Sequence, residues 1–302
     1  MNGTCQNPED RISVPFNLAE TSEKIGERSV FWNITDVSGG SSKRAYALVT
    51  GASSGIGLEF CKQLATEGWP LWMVSNEREV LYEVAADIYR ESEVPLIATD
   101  MDLARSDSAE CLYEEGKRLG VKVSLLINDA GVFSFRDLTM ISPGRIDLML
   151  SLHTLTVTKL CCFFGKEMQL HKEGYILNLS SLSAWLPFPG ITLYSATKAY
   201  VRTFTRAFAL EMRPYGVRVM TVCPGGIATG LYGLSPHWQR IGLRLGVLMS
   251  PEKLVRRSLR ALYAGKYQLI PGFLNRLFIP VMQILPIRVL LFVRRKLGRY
   301  ER

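Results

Sequence analysis

The stretch Thr50-Gly51-Ala52-Ser53-Ser54-Gly55-Ile56-Gly57 joins an apolar run, residues 45–50, to an amphipathic segment, residues 56–67. A glycine-rich turn between a strand and a helix presents backbone N–H groups to an anion at the helix N-terminus. Gly51 permits the tight turn, Gly55 allows a ligand to approach closely, and Gly57 lets the helix pack on the strand. The stretch therefore predicts a site for the diphosphate of a dinucleotide. The predicted contacts are Gly51, Ser53, Ser54, Gly55, Ile56 and Gly57.

The same residues match a second pattern. Gly51-Ala52-Ser53-Ser54-Gly55 fits G-x-S-x-G, the nucleophile elbow of α/β-hydrolases. That elbow needs an oxyanion loop on an earlier strand, and an acid followed by a histidine downstream. Here the turn follows the first apolar run of the domain, and the late histidine, His237, has no recognisable strand-end context. The dinucleotide interpretation is favoured, and the hydrolase is the minor alternative.

Outward from this turn, short apolar runs alternate with helix-length segments. The runs are rich in Val, Ile and Leu without clean alternation, which is typical of strands covered on both faces. They cover residues 45–50, 71–75, 94–98, 123–128, 174–180 and 217–223, and the helical segments cover 56–67, 79–91, 108–119, 146–170 and 195–212. This spacing predicts parallel pairing through right-handed crossovers. We expect one α/β domain over residues 44–271: a doubly wound (Rossmann) parallel sheet of about seven strands, with helices on both faces.

The two ends of the chain differ from this domain. Residues 1–43 have little periodicity and end in Ser38-Gly39-Gly40-Ser41-Ser42, which predicts a mobile leader without a signal peptide. Docking of Val30-Phe31-Trp32 is the alternative for that short apolar stretch. Residues 272–302 are apolar and basic, which predicts an amphipathic C-terminal extension. Pro280 and Pro286 are expected to break any single helix in this extension.

The net charge of +8 is concentrated near the C-terminus. Residues 251–302 contain twelve Lys/Arg and two Glu, an excess of +10, which leaves −2 for residues 1–250. Basic residues interleaved with aliphatic ones suit peripheral contact with an anionic membrane. A tail folded over the cleft or into a dimer interface has equal weight. Nucleic acid is disfavoured as a partner, because exposed stacking aromatics are lacking.

Cysteine and histidine usage narrows the class further. The six cysteines show no C-x-x-C spacing, and the three histidines show no metal-ligand spacing. We therefore expect reduced thiols, an intracellular, cytoplasmic protein and no metal site.

Several motifs in register resemble the short-chain dehydrogenases/reductases over roughly residues 44–268. Residues 50–57 match TGxxxGxG, the form found in the compact single-domain branch of that family. Asn128-Asp129-Ala130-Gly131 resembles NNAG, and Pro224-Gly225-Gly226-Ile227-Ala228-Thr229 resembles the PG-xxx-T segment. Tyr194-Ser195-Ala196-Thr197-Lys198 matches YxxxK, with Ser181 thirteen residues before the tyrosine. The resemblance implies an NAD(P)(H)-dependent oxidoreductase.

Tyr194, Lys198 and Ser181 are the predicted catalytic residues. Tyr194 and Lys198 are four residues apart and therefore share one face of a helix. A free phenol has a pKa of about 10, and a fixed ammonium nearby favours the phenolate. Tyr194 can then exchange a proton with a carbonyl oxygen that Ser181 holds by a hydrogen bond. YxxxK alone would more often be helix-surface decoration, but its register with Ser181 and the glycine turn favours catalysis.

The resemblance also implies further contacts with the dinucleotide. They are Asp102 and Leu103 at the adenine, Asn128, Ala130 and Gly131 at its ribose, Pro224, Gly225, Ile227 and Thr229 at the nicotinamide, and Tyr194 and Lys198 themselves. For Asp102, a plain helix cap is the alternative.

The sequence departs from the family pattern at two positions. Asp129 replaces the second Asn of NNAG and adds a negative charge near the dinucleotide. His153 stands where the family has a helix Asn that supports a water relay to the lysine. Because that relay is thought to use a backbone carbonyl, His153 either preserves it or packs as a core histidine, and the two interpretations have equal weight.

The end of the second predicted strand bears on the choice of dinucleotide. An acidic residue at the strand tip binds the ribose 2′-hydroxyl of NAD and repels a 2′-phosphate. Ser75 is small and neutral there, and Arg78 is close, which favours NADP(H) over NAD(H). Asn76 and the adjacent Glu77 weaken this preference.

The segment 226–250 is predicted to cover the substrate. It contributes Leu231, Tyr232, Leu234, Trp238, Ile241, Leu243, Leu245, Val247, Leu248 and Met249, and the expected cleft also contains Phe133, Trp185, Leu186 and Phe188. Such a cleft favours a steroid-like ketone or a keto-lipid, although lid packing alone is the alternative. The sequence thus predicts an NADP(H)-dependent carbonyl reductase or alcohol dehydrogenase for a hydrophobic substrate, expected as a homodimer or homotetramer. The alternative is a catalytically weakened dinucleotide-binding scaffold or sensor at a membrane surface.

Overall fold

The computed structural model describes residues 22–24, 29–32, 45–229, 235–244 and 248–297. Within these residues the strands are β1 (Ser22–Lys24), β2 (Ser29–Trp32), β3 (Ala45–Thr50), β4 (Leu71–Ser75), β5 (Leu96–Asp100), β6 (Lys122–Asn128), β7 (Gly174–Leu179), β8 (Val217–Val222), β9 (Gly226–Ile227), β10 (Leu248–Met249) and β11 (Gln268–Leu269). The helices are α1 (Gly55–Thr66), α2 (Arg78–Ser92), α3 (Ser108–Arg118), α4 (Pro143–Leu150), α5 (Thr156–His171), α6 (Thr192–Met212), α7 (Pro236–Arg244), α8 (Pro251–Tyr263), α9 (Phe273–Ile284) and α10 (Ile287–Leu297). A π-helical turn, Ser151–Leu155, joins α4 to α5.

One sheet organises the domain, with its strands in the order β1-β2-β5-β4-β3-β6-β7-β8-β11. From β5 to β11 the neighbouring strands are parallel. The chain builds outward from β3 through β4 to β5, and then restarts on the other side of β3 with β6. This reversal makes the gap between β3 and β6 the topological switch point, where such sheets bind ligands beyond their carboxyl ends. The predicted doubly wound α/β sheet of about seven parallel strands is confirmed.

The strands are apolar on both faces because helices cover both sides. Along β3, Ala47 and Val49 face a core cluster shared with α1, α2 and α8. The alternate residues Tyr46 and Leu48 face a second cluster shared with α3, α5 and α6. Since successive side chains of a strand point to opposite faces, the unbroken Val/Leu/Ile runs follow directly from burial on both sides.

The N-terminal segment corrects one prediction. β2 pairs antiparallel with β5, and Val30, Phe31 and Trp32 are buried. The hydroxyl of Ser29 lies 2.8 Å from that of Thr99, so the strand is also tied by a polar contact. A mobile leader over all of residues 1–43 is therefore wrong for residues 29–32. The remaining part of that prediction falls largely on residues 1–21, 25–28 and 33–44, which lie outside the described residues.

The C-terminal extension corrects the prediction that both prolines interrupt a helix. Pro280 lies inside α9, and only Pro286 separates α9 from α10. A proline in a helix removes one backbone hydrogen bond, and α9 continues past Pro280 in spite of that loss. Residues 298–302 lie outside the described residues.

One helical stretch in the described part of the chain, Pro143–His171, is long and apolar enough to cross a membrane. Its Val157, Leu160 and Phe164 belong to the second core cluster, packed on the sheet. Length and composition alone do not distinguish a core helix of this kind from a membrane span.

Candidate active site

A cleft of about 610 Å³ opens at the carboxyl ends of the central strands. It holds most of the predicted site residues: Gly51, Ser53, Ser54, Gly55, Ile56, Asp102, Leu103, Ala130, Gly131, His153, Ser181, Tyr194, Lys198, Pro224, Ile227 and Thr229. Gly57, Arg78, Asn128 and Gly225 do not line it. The two predicted groups, the glycine turn and the tyrosine–lysine pair, thus share one cleft.

The glycine turn has the backbone that an anion site requires. Gly51 has φ +70°, in the left-handed region, and a Cβ added there would lie 3.0 Å from the Cα of Ala130. A Cβ on Gly57 would lie 2.2 Å from the carbonyl oxygen of Gly51. Ser54, the residue before α1, makes no side-chain cap to the helix. The uncapped helix N-terminus and the tight glycine contacts fit the diphosphate of a dinucleotide.

At the tip of β4, a carboxylate takes part in the cleft wall. The hydroxyl of Ser53 donates to the Glu77 carboxylate at 2.6 Å and accepts from that of Ser75 at 2.9 Å. Glu77 lines the cleft, whereas the exposed Arg78 stacks over the Tyr82 ring at 5.8 Å. The predicted cofactor contact of Arg78 is therefore not part of the observed cleft wall, and its neighbour Glu77 takes that place.

Two of the implied adenosine contacts also have local structural roles. The Asp102 carboxylate accepts from the amide of Ala104 at 2.9 Å, so it caps a turn and lines the cleft at once. The side-chain amide of Asn128 donates to Asn178 at 2.7 Å, inside the sheet. Asp102 is therefore compatible with both a cap and a contact with the adenine. The side chain of Asn128 holds neighbouring strands together.

Tyr194, Lys198 and Ser181 all line the cleft, the first two from α6 and Ser181 from the segment that follows β7. Tyr194 and Lys198 lie one turn apart on α6, and the Lys198 ammonium is 5.8 Å from the centre of the Tyr194 ring. This ammonium also donates to the carbonyl of Leu179, at the end of β7, at 2.9 Å. The Ser180 hydroxyl donates to the carbonyl of Lys198 at 2.7 Å, which ties α6 to the segment that carries Ser181.

Asp129 and Lys198 influence each other electrostatically. The Asp129 carboxylate accepts the N–H of Gly57, and burial raises the pKa of this carboxyl while the Lys198 ammonium opposes that shift. Burial likewise lowers the pKa of Lys198, and the Asp129 carboxylate opposes this shift. Each group therefore stabilises the charged form of the other. The extra acid in the NNAG-like motif therefore lies between the glycine turn, whose Gly57 N–H it accepts, and Lys198, whose charge it affects.

His153 is a connecting residue with both ring nitrogens occupied. Its Nε2 accepts the N–H of Val132 at 3.0 Å, and its Nδ1 lies 2.9 Å from the hydroxyl of Thr197. That hydroxyl donates to the carbonyl of Tyr194 at 2.9 Å. A nitrogen that accepts a backbone N–H carries no proton, so the ring is neutral with its proton on Nδ1. The geometry favours the core-packing interpretation of this side chain: it connects α6 to the loop after β6.

Replacing His153 by Ala is expected to destabilise the protein by about 2–4 kcal/mol, because it leaves a cavity and a buried N–H without its acceptor. Urea unfolding measures the loss. His171→Ala is the matched control, since His171 is exposed on α5, and should change stability by less than about 0.5 kcal/mol. Equal stabilities of the two variants would contradict the connecting role.

The same residue predicts a pH dependence of stability. Burial, followed by the charges of Lys198 and Arg145, lowers the pKa of His153 well below its ordinary value. The unfolded chain then binds a proton that the folded chain rejects, so stability falls as the pH drops below about 6.5. We expect His153→Asn to reduce this slope by up to about 1.4 kcal/mol per pH unit. Urea unfolding between pH 7 and 5 measures it, and an unchanged slope would contradict the assignment.

Several cleft residues were missed by the sequence reasoning. Leu148 and Leu152 line the cleft from one face of the α4 region, and Arg145 lies beside them with its guanidinium donating to the carbonyl of Phe133 at 3.0 Å. The i, i+4 spacing of the two leucines on a predicted helix could have indicated an apolar wall. No sequence signal distinguishes Arg145.

The structure describes some of the residues that were predicted to surround the substrate. Phe133 contacts the Tyr194 ring edge-on, with ring centres 4.9 Å apart, and Phe135 lies against Gly190. The predicted cleft residues Phe133, Trp185, Leu186 and Phe188 do not line the observed cleft. Trp185 stacks with the guanidinium of Arg202 at 4.5 Å. Trp238 is exposed on α7. Leu231, Tyr232, Leu234, Leu245 and Val247 lie outside the described residues.

Comparison with known proteins finds a matching family model and several relatives of this chain. The model of a family described as short chain dehydrogenase matches residues 45–240. The very-long-chain 3-oxoacyl-CoA reductase of Anas platyrhynchos is 32% identical over 197 residues, 63% of this chain and 62% of the relative. The 17-beta-hydroxysteroid dehydrogenase type 3 of Mus musculus is 30% identical over 186 residues, 61% of this chain and 60% of the relative. The chain thus matches less than two thirds of the length of these relatives.

A solved structure gives the same picture of the fold. The short-chain dehydrogenase from Sphingobium yanoikuyae in complex with NADPH has a TM-score of 0.69 to this chain at 25% identity. The alignment covers 80% of this chain and 97% of that one.

Proposed function

Because this chain belongs to the short-chain dehydrogenase family, we propose that it is an NADP(H)-dependent oxidoreductase that interconverts a carbonyl and a secondary alcohol on a hydrophobic, steroid-like or keto-lipid substrate. The observation that carries the proposal is the meeting of Tyr194, Lys198 and Ser181 with the glycine turn in one cleft. A site for proton transfer and a site for a dinucleotide diphosphate are both needed for this reaction and are found side by side.

The residues divide the chemistry as follows. In the reducing direction, Tyr194 donates its phenolic proton to the carbonyl oxygen, and the Lys198 ammonium stabilises the phenolate left behind. Ser181 holds the same oxygen by a hydrogen bond from its hydroxyl, whose oxygen accepts the N–H of Ser183 at 3.1 Å. When bound, the dinucleotide supplies the hydride to the carbon, or takes it back in the oxidising direction. The glycine turn and the N-terminus of α1 would hold its diphosphate.

The apolar cleft wall supports a hydrophobic substrate. Leu148 and Leu152 lie in the wall beside Tyr194, and Phe133 covers the edge of its ring. The printed names of two relatives, a very-long-chain 3-oxoacyl-CoA reductase and a hydroxysteroid dehydrogenase, also support a lipid or steroid carbonyl.

The proposed preference for NADP(H) is limited by one residue. Glu77 lines the cleft beside Ser53, where its charge would oppose a 2′-phosphate, while Arg78 is exposed nearby. A related structure of 25% identity contains NADPH, which supports the choice of dinucleotide. We therefore expect NADPH to bind more tightly than NADH in spite of Glu77.

Replacing Glu77 by Gln is expected to raise the NADPH-to-NADH affinity ratio roughly tenfold, because one nearby charge near a protein surface amounts to about 1–4 kcal/mol. Direct titration of both dinucleotides measures the ratio. Glu79→Gln makes the same charge change two residues further along α2, at an exposed position outside the cleft wall, and should leave the ratio unchanged. Wild-type protein that binds NADH more tightly than NADPH would overturn the proposed preference.

The proposal also covers the oligomeric state and the cellular location of the protein. Tyr200, Phe204 and Phe208 form a stacked row along α6, and Leu210 is exposed near its end, which supports a homodimer or homotetramer through this helix. We place the protein in the cytoplasm, peripheral to a membrane.

The test of the proposed function is NADPH oxidation by the full chain against ketosteroids, long-chain keto-lipids and small polar ketones, with NADH in parallel. Turnover of the bulky ketones over the polar ones supports the proposal. Dinucleotide binding without turnover of any ketone supports the second candidate, a catalytically weakened scaffold or sensor. The observation that favours this candidate is Asp129, whose negative charge would offset part of the effect of the Lys198 ammonium on Tyr194.

A further inference from the structure

Helices α9 and α10 present a large exposed apolar surface. Its members are Phe273, Leu277, Phe278, Val281, Ile284, Ile287, Val289 and Leu291, each between 41% and 79% exposed. We call these eight residues the tail surface. On α9, Phe273, Leu277, Val281 and Ile284 fall on one face at helical spacing. Exposed large apolar side chains gathered on two helices in this way indicate an interaction site rather than ordinary surface variation.

The charges around the tail surface have a single sign. Residues 269–297 contain five Lys/Arg and no Asp or Glu. Arg276, Arg288 and Arg295 are exposed alongside the apolar side chains. An apolar face rimmed by basic residues complements the acyl chains and anionic headgroups of a phospholipid bilayer. A second copy of the same surface would instead bring arginine against arginine, because a two-fold interface pairs a patch with itself.

Both helices pack against loops that also contribute residues to the cleft, Val132 in one loop and Pro224 in the other. α9 packs near the backbone of Gly225, where Asn275 would touch an added Cβ at 2.9 Å. On the other side, Arg294 of α10 pairs with Asp137 at 3.1 Å and lies over the Phe135 ring at 5.4 Å. Phe135 contacts Gly190, next to the start of α6 that carries Tyr194. A layer that covers the tail surface is therefore close to the loops that carry the cleft residues Val132 and Pro224.

We propose that the tail surface docks on an anionic phospholipid bilayer and that the cleft receives its hydrophobic substrate from that bilayer. The docking is inferred from the tail surface alone. The delivery of substrate from the bilayer rests on the proposed function. The surface places the cleft mouth at the lipid, so a substrate dissolved in the bilayer reaches Tyr194 with little passage through water.

Sedimentation of the full chain with vesicles tests the docking. We expect binding to phosphatidylcholine vesicles that contain phosphatidylserine, and weaker binding to phosphatidylcholine alone or at high salt. Arg288→Gln should lower the partition coefficient about fivefold, since one basic residue near an anionic surface has about that effect. Ile284→Glu should lower it more than tenfold, because it puts a charge into the apolar face.

Leu170→Glu is the matched control, because Leu170 is 76% exposed on α5 and Ile284 is 78% exposed on α9. NADPH titration confirms that each variant is folded. Equal vesicle binding by Ile284→Glu and Leu170→Glu, or no binding by the wild type, overturns the docking. Loss of a dimer in Ile284→Glu without any vesicle binding identifies a second copy as the occupant and also overturns it.

The delivery step has its own readout. Ile284→Glu should reduce turnover of a ketone dissolved in vesicles at least fivefold and leave turnover of a water-soluble ketone unchanged. An equal loss on both ketones overturns delivery from the bilayer. If no ketone is turned over, the proposed function fails, while the vesicle binding still decides the docking.

Discussion

Tyr194→Phe is expected to reduce turnover of the best ketone by about 10²–10⁴-fold, the usual contribution of a positioned general acid. The change removes one oxygen and keeps the ring, which lies between Phe133, His153 and the Lys198 ammonium. The contacts that hold the ring in place are apolar or cation–π, so they persist in Phe. Steady-state NADPH oxidation measures the loss, and titration should find dinucleotide affinity nearly unchanged.

Tyr200→Phe is the control for this prediction. Tyr200 lies on the same helix, and its hydroxyl contacts that of Thr158 at 2.7 Å on the protein surface. Removing this oxygen should leave turnover within about twofold, since surface changes have small effects. If Tyr194→Phe retains most of the wild-type turnover, Tyr194 is not the acid, and the mechanism fails even where the dinucleotide binds.

The parts of the fold predicted from the sequence are those set by local pattern. The turn at residues 50–57 and the runs that became β3, β4 and β6 needed only apolar composition and glycine spacing. The match of the family model confirms the family predicted from the motifs. These features were predictable because each is decided within about ten residues of chain.

The parts that were missed depend on contacts distant in sequence. The run 94–98 was observed as Leu96–Asp100, because Thr99 is buried in the strand and accepts the indole N–H of Trp72. Docking of Val30-Phe31-Trp32 was left open, but the partner of β2 was not predicted, since β5 lies more than sixty residues further along the chain. A strand propensity is decided by the neighbours it packs against, and these cannot be identified from a short window.

The same limit applies to the candidate site. The motif residues were found, but the role of His153 depends on Val132 and Thr197, which are 21 and 44 residues away. Likewise, the sequence placed Glu77 and Arg78 side by side, and only the fold directs the first into the cleft wall and the second over Tyr82. The spacing of motifs in the sequence predicts which residues are candidates for the site. The packing of the fold decides which of their side chains reach the cleft.

Gly57→Ala is expected to weaken NADPH binding more than tenfold and to destabilise the protein by about 1–3 kcal/mol, the usual cost of overpacking. The new Cβ would lie 2.2 Å from the carbonyl oxygen and 2.8 Å from the carbonyl carbon of Gly51. These are backbone atoms of the turn itself, so relief requires α1 and the turn to move apart. That movement displaces the amides proposed to hold the diphosphate and disturbs the N–H of Gly57 that Asp129 accepts.

Gly144→Ala is the matched control for that change. Gly144 lies in the first turn of α4, and an added Cβ there meets no described atom within 4 Å. Alanine in a helix is favoured over glycine by up to about 1 kcal/mol, so this variant should be as stable as the wild type or slightly more so. NADPH titration and urea unfolding measure both variants. A Gly57→Ala protein that loses stability but keeps wild-type affinity for NADPH would show that the dinucleotide is held elsewhere, because a turn that had moved could not leave binding unchanged.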